Sequence, residues 1–210
     1  LPGFAPAHEA IIPPVIDPLS PKNRPMKPDE AKRIVAGHGV DPAKPLIVQV
    51  SRFDPWKDPV GVIKAWEIAR QAVPDLQLAL VGNTVNDDPE SVRVLAAVRA
   101  AADGQPGIII VDNLPPAEND RGVKAFYTAA DVVLQKSTRE GFGLTVSEAL
   151  WSGTPVIGGN VGGITIQIED GVSGYLVDTI EEAADRIERL IRDPERGRQM
   201  GHAGAERVQQ

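Results

Sequence analysis

The sequence predicts an α/β domain, a parallel sheet with helices on both faces. Two observations carry that prediction. Apolar runs of strand length alternate with helical patterns through short connections. The runs are close to continuously apolar rather than alternating, as expected for strands covered on both sides.

Taken in order, residues 1–44 read as a lead-in and a short helix from an upstream lobe, and residues 45–210 as the domain. Pro2, Pro6, Pro13, Pro14, Pro18, Pro21, Pro25 and Pro28 mark an extended linker. Within it, Ile11-Ile12 ahead of Pro13-Pro14 reads as the last strand of an upstream unit, and a helix runs from Asp29 to about His38. The strands are "PLIVQV" (45–50), "LQLALV" (76–81), "GIIIVD" (107–112), "DVVLQK" (131–136), "TPVIGG" (154–159) and "GYLVD" (174–178). The helices lie near 58–72, 89–103, 119–129, 145–152, 164–169, 180–192 and 194–208.

Bulk properties narrow the function. With 210 residues, 42% hydrophobic and 24% charged, the chain can bury a sizeable core. No apolar run approaches the roughly 18 residues of a membrane span, and no basic start precedes an apolar stretch as in a signal peptide. The chain opens without Met and reads as a fragment or processed form. The absence of Cys excludes disulfides, thiolate catalysis and Cys-based zinc sites, and fits a cytoplasmic setting. A net charge of −7 without a Lys/Arg cluster argues against nucleic acid. An anionic small ligand would need a few local cations and backbone N–H groups.

In such sheets ligands sit beyond the carboxyl ends of the strands. After the first strand, "SRFDPWKDPV" places Arg52 and Lys57 where both can reach one anion, Arg as a planar fork and Lys as a mobile point charge. Solvated loop charges are the plainer reading, and Trp56 and Trp66 read as packing residues. After the second strand, Gly82 admits close approach to the backbone or makes an ordinary turn. Asp87, Asp88 and Glu90 complement a helix start; no further carboxylate or His stands at metal-ligand spacing. After the third strand, Asn113 to Pro116 form a rigid turn suited to the edge of a planar base or to a plain loop.

The fourth strand end is the most informative. In "REGFGLTVSEALWSG", Gly141 and Gly143 allow a tight turn, and Leu144-Thr145 open a helix whose first N–H groups are unpaired and suited to phosphate. Glu140 and Glu148 flank that point. Being acids, they would accept hydrogen bonds from hydroxyls on either side of a diphosphate, which is the layout of a nucleotide sugar. Two plainer readings stand beside this one. Thr145 and Glu148 have capping-box spacing, and Glu140 fits a solvated turn acid. Gly158, Gly159, Gly162 and Gly163 form a second close approach or a tight turn. There is no G-x-G-x-x-G with a strand-end acid, no P-loop, and no G-x-S-x-G around Ser137, Ser147 or Ser152. His8, His38 and His202 fall outside every strand end.

Together, "SRFDPWK", "VG", "STREGFGLTVSEALWSGTPVIGGNVGGI" and "DGVSGYLV" resemble the C-terminal half of the retaining glycosyltransferases with two Rossmann-like lobes, the GT-B architecture of the glycogen and sucrose synthase group. "PPVIDPLSPKN", "VSRFDPWK", "NDDPE" and "REGFGLTVSEA" are similar to glycosyl-transferring trehalose synthases, with retaining trehalose phosphorylases alike in these stretches.

The resemblance implies a donor-binding lobe that takes a nucleoside diphosphate glucose as substrate and needs no metal or other cofactor. Arg52 and Lys57 would bind the diphosphate and stabilise it as it leaves. Glu140 would contact the donor sugar and Glu148 the ribose hydroxyls. Gly143, Leu144 and Thr145 would give backbone contacts, with Gly82, Gly141 and Phe142 bordering the donor and Asn113 and Leu114 against the base. It implies as partners a small sugar acceptor and an upstream lobe, and leaves room for a homodimer. The chain is expected to lack the acceptor lobe and the last helix that crosses to it, and so to bind nucleotide weakly and transfer little alone. Alternatives are a trehalose phosphorylase, an epimerase on the same plan, or a non-catalytic nucleotide-binding α/β module.

Overall fold

A computed structural model describes residues 14–83 and 88–209. The expected strand at Ile11-Ile12, His8 and Asp87 lie outside the described residues. The element order is α1 (Pro28–Ala36), β1 (Leu46–Val50), a 3-10 turn (Pro55–Lys57), α2 (Pro59–Ala72), β2 (Gln77–Val81), α3 (Pro89–Ala102), β3 (Ile108–Val111), α4 (Asn119–Ala129), β4 (Val132–Gln135), α5 (Leu144–Trp151), β5 (Val156–Gly159), α6 (Ile164–Gln167), β6 (Gly174–Val177), α7 (Ile180–Arg192) and α8 (Pro194–Val208).

The six strands form one parallel sheet in the order β3-β2-β1-β4-β5-β6. This is the doubly wound order, and its topological switch point lies between β1 and β4. Period-2 alternation divides each strand between two cores. Ile47, Leu78, Leu80, Val132, Leu134 and Ile157 face the layer of α2, α3 and α7. Leu46, Val48, Val50, Ala79, Val81, Val133 and Val156 face the layer of α1, α4, α5 and α6. Thus α1, with Ala31 and Val35 fully buried, belongs to the second layer.

Local chemistry sets the element ends. Asp58, Asp88 and Asp193 cap α2, α3 and α8 with a proline at the start of each helix. A capping box opens α7, where Thr179 accepts from the Glu182 amide and Glu182 reaches back to the Thr179 amide. The helix α6 ends at Gln167, two residues short of the expected 169, because Ile168 is extended. The described residues include no helix long and apolar enough to cross a membrane.

Candidate functional site

The carboxyl ends of β1 and β4 are stitched together by polar side chains. The ladder pairs Ile47 with Val132 and Val48 with Val133. Beyond it, the buried Gln135 carboxamide donates to the Val50 carbonyl at 2.6 Å, and Gln49 donates to the Lys57 carbonyl at 2.7 Å. The Thr138 amide donates to the Trp56 carbonyl at 2.8 Å. The loop after β1 and the loop after β4 therefore form one surface.

An ion pair with a buried lysine and a half-buried aspartate fixes that surface. The Lys136 ammonium donates to Asp58 Oδ2 at 2.8 Å, with the lysine side chain only 9% exposed. The other oxygen of Asp58 accepts from the Gly61 amide at 3.0 Å and caps α2. Asp58 adopts a left-handed backbone, with φ 48°, unique among the described non-glycine residues. Substituting Asp58→Ala would remove the cap and leave a buried ammonium unpaired. The expected cost is about 3 kcal/mol in urea unfolding; a change below about 1 kcal/mol would mean the pair is only a surface contact.

Across this surface, Lys57 at the end of the 3-10 turn donates to Glu140 Oε2, and both side chains are largely buried. The Gly141 amide donates to Glu140 Oε1 at 3.1 Å, so the acid is held at the mouth of the glycine turn. Gly143 occupies the N-cap of α5 with φ 90°, a left-handed conformation that glycine adopts without strain. No side chain caps α5. The amides of Gly143, Leu144 and Thr145 have no acceptor among the described residues.

Thr145 is therefore the second residue of α5, and the Thr145–Glu148 spacing makes no capping box. Glu148 points instead into the structure, at 7% exposure. One of its oxygens accepts from Lys22 in the lead-in and the other from the Tyr127 hydroxyl at 3.4 Å. Burial, and next the charge of Glu148, push the Tyr127 hydroxyl pKa well above its ordinary value.

The remaining candidates are spread around this centre. Arg52 follows β1 but is 67% exposed, and its guanidinium turns to Asp54 at 3.2 Å rather than to the glycine turn. Asn113 is exposed. Leu114 lies beside it with its side chain buried against Gly122, and its amide donates to Asn83 Oδ1 at 3.2 Å. Phe142 is half-buried, and Gly141 and Leu144 are exposed. At Gly82 a Cβ would stand 2.0 Å from the Ser51 carbonyl, so the close approach there is between the ends of β1 and β2. Gly162 and Gly163 likewise lie against the backbone of Glu140 to Phe142. Trp66 is fully buried, whereas Trp56 is half-exposed under the Arg139 guanidinium.

The sequence reading did not single out Lys22, Tyr127, Lys136 or Gln167. Glutamines inside otherwise apolar strands, Gln49 and Gln135, were the available sign that the β1 and β4 ends hold polar partners. No group of three or more His, Asp or Glu stands close enough to hold a metal ion among the described residues.

The doubly wound sheet thus carries an acid–lysine pair and the free-amide start of a helix at its switch point, where sheets of this order bind ligands and helix starts favour anions. The chain belongs to the group 1 glycosyl transferases, whose family model matches residues 30–207. It is 48% identical over 207 residues to a trehalose synthase of Rubrobacter xylanophilus, covering 99% of this chain and 49% of that protein. A trehalose phosphorylase of Pleurotus sajor-caju is 37% identical over 158 residues, 68% of this chain and 21% of that protein. A sucrose-phosphate synthase structure from Thermosynechococcus elongatus superposes with a TM-score of 0.71 at 29% identity, covering 84% of this chain and 43% of that one. The chain thus spans about half the length of the synthase it matches.

Proposed function

We propose that this chain is the donor-binding lobe of a retaining glucosyltransferase that moves glucose from a nucleoside diphosphate glucose to glucose, giving trehalose. The observation that carries this reading is the turn at Gly143 to Thr145, with its free amides and Lys57 at its mouth. Identity to a trehalose synthase supports the choice of product.

In this reading the diphosphate lies across the first amides of α5. Lys57 moves from Glu140 to a phosphate oxygen, and Arg52, exposed and loosely paired, closes from the solvent side. Glu140, released, accepts from the sugar hydroxyls, and Glu148 from the ribose hydroxyls. Gly82, Gly141 and Phe142 border the donor, with Asn113 and the backbone of Leu114 at the base. The acceptor oxygen bonds to the anomeric carbon on the face from which the diphosphate departs, and the departing phosphate takes the acceptor's proton. Lys57, Arg52 and the helix amides stabilise the developing charge, so no divalent metal is required. A second lobe brings the acceptor.

Calorimetric titration with ADP, UDP and GDP, with and without the glucosyl group, tests the reading. One series should bind, and a chelator should leave its affinity unchanged. Absence of heat with every nucleotide would leave a non-catalytic module. Identity to a trehalose phosphorylase gives a second reading. It requires glucose 1-phosphate and free glucose from trehalose and inorganic phosphate, with no response to nucleotide.

A further inference from the structure

Gln167, the last residue of α6, is 8% exposed and has no ligand role in the reading above. Its carboxamide is nevertheless fully engaged. Nε2 donates to the Phe142 carbonyl at 2.5 Å and the Gly163 carbonyl at 3.1 Å, with the Gly143 carbonyl at 3.4 Å. Oε1 accepts from the Ser147 hydroxyl at 2.5 Å, which ties the same group to α5.

The stereochemistry of the peptide unit gives this a consequence. In a trans peptide the carbonyl and the next residue's N–H point to opposite sides. A carbonyl of Phe142 drawn inward sends the Gly143 N–H outward. The Gly143 carbonyl accepts from the Val146 amide at 2.9 Å in the first turn of α5, which sends the Leu144 N–H outward. Both amides lack an acceptor among the described residues. Gly143 is a left-handed glycine, so the peptide before it has other wells within reach once the Phe142 carbonyl is released.

We propose that Gln167 is a positioning residue for anion binding: its carboxamide holds the Phe142 carbonyl inward so that the Gly143 amide faces a phosphoryl group together with the Leu144 amide, which the first turn of α5 already orients. This rests on the reading that the turn takes the donor's diphosphate. A preorganised pair of amides acts on an oxyanion without the cost of ordering at the moment of binding. Glutamine suits the task because its NH2 supplies two donors and its oxygen one acceptor within one neutral group. A carboxylate there would face carbonyl oxygens as an acceptor and add charge of the ligand's own sign.

The test compares Gln167→Met, Gln167→Glu and Ser147→Ala with the unmodified chain and Lys57→Ala. Each is titrated with the nucleoside diphosphate that binds and with its parent nucleoside, and melted. Gln167→Met should weaken the diphosphate roughly tenfold or more and Gln167→Glu further, with nucleoside affinity unchanged. A general loss of folding would weaken both ligands alike. Ser147→Ala frees one end of the carboxamide and should give a loss of a few-fold with little change in melting, which keeps the test open if the Gln167 variants do not fold. Diphosphate affinity within twofold of the unmodified chain in the folded variants, with Lys57→Ala still impaired, would overturn the role of Gln167 and leave the site reading standing. Diphosphate binding indifferent to Lys57→Ala would overturn the site reading and the inference with it.

Discussion

The Lys57→Ala variant is expected to bind the nucleoside diphosphate roughly 100-fold more weakly, a loss of about 3 kcal/mol. Two effects add. A charged donor to a phosphate oxygen is lost, which alone is worth about 1.5–3 kcal/mol. The carboxylate of Glu140, with its side chain 12% exposed, then faces the incoming diphosphate without its lysine. That second effect can be separated. In Lys57→Ala with Glu140→Gln the repulsion is gone, and the double variant should recover part of the affinity, so the two changes are non-additive. Arg52→Ala should cost less, about 1 kcal/mol, because Arg52 is well solvated and, among the described residues, paired only to Asp54. Isothermal calorimetry on these three variants and on Glu140→Gln alone checks the ordering and the non-additivity. Equal losses for Lys57 and Arg52 would place the anion outside the turn.

Glu148→Gln is expected to remove recognition of the ribose, about 2 kcal/mol or roughly 30-fold, and leave the fold intact. The carboxylate is buried with Lys22 on one oxygen and Tyr127 near the other. A carboxylate has about four acceptor sites, so two contacts leave room for a pair of hydroxyls. Glutamine keeps the shape and one acceptor but loses the charge that strengthens both new bonds. Lys22 is 37% exposed, so it remains solvated when its partner becomes neutral, and the melting temperature should change little. The measurement compares a nucleoside diphosphate with its 2′,3′-dideoxy form. The gap between the two ligands should close in Glu148→Gln, and a gap of unchanged size would place the ribose elsewhere.

The layered fold was legible because its strands are covered on both faces. Burial of that kind writes continuous runs such as Leu46–Val50 and Gln77–Val81, and the six strands expected from residue 45 onward are present to within two residues at their ends. The 3-10 turn at Pro55–Lys57 was not legible. It depends on Asp54 accepting from the Trp56 amide, a side-chain contact without periodicity. In the site, the glycine turn and its two acids could be read because their spacing is local. Spacing alone could not distinguish Thr145–Glu148 from Thr179–Glu182. Both satisfy the capping-box pattern, yet only the second forms one, because the left-handed Gly143 starts α5 a residue before Thr145. Lys22, Lys136 and Gln167 were missed for a different reason. Their partners are Glu148, Asp58 and the turn carbonyls, brought close only by tertiary packing.

Donor binding by this lobe depends on an anion seated on the free amides of α5 beside Lys57. Backbone amide NMR during titration with the nucleoside diphosphate that binds observes those groups one at a time. The largest shifts are expected at Gly143, Leu144 and Thr145, and they should vanish in Lys57→Ala at the same ligand concentration. Shifts confined to another part of the sheet, or shifts at these amides that persist unchanged without the lysine, would contradict it.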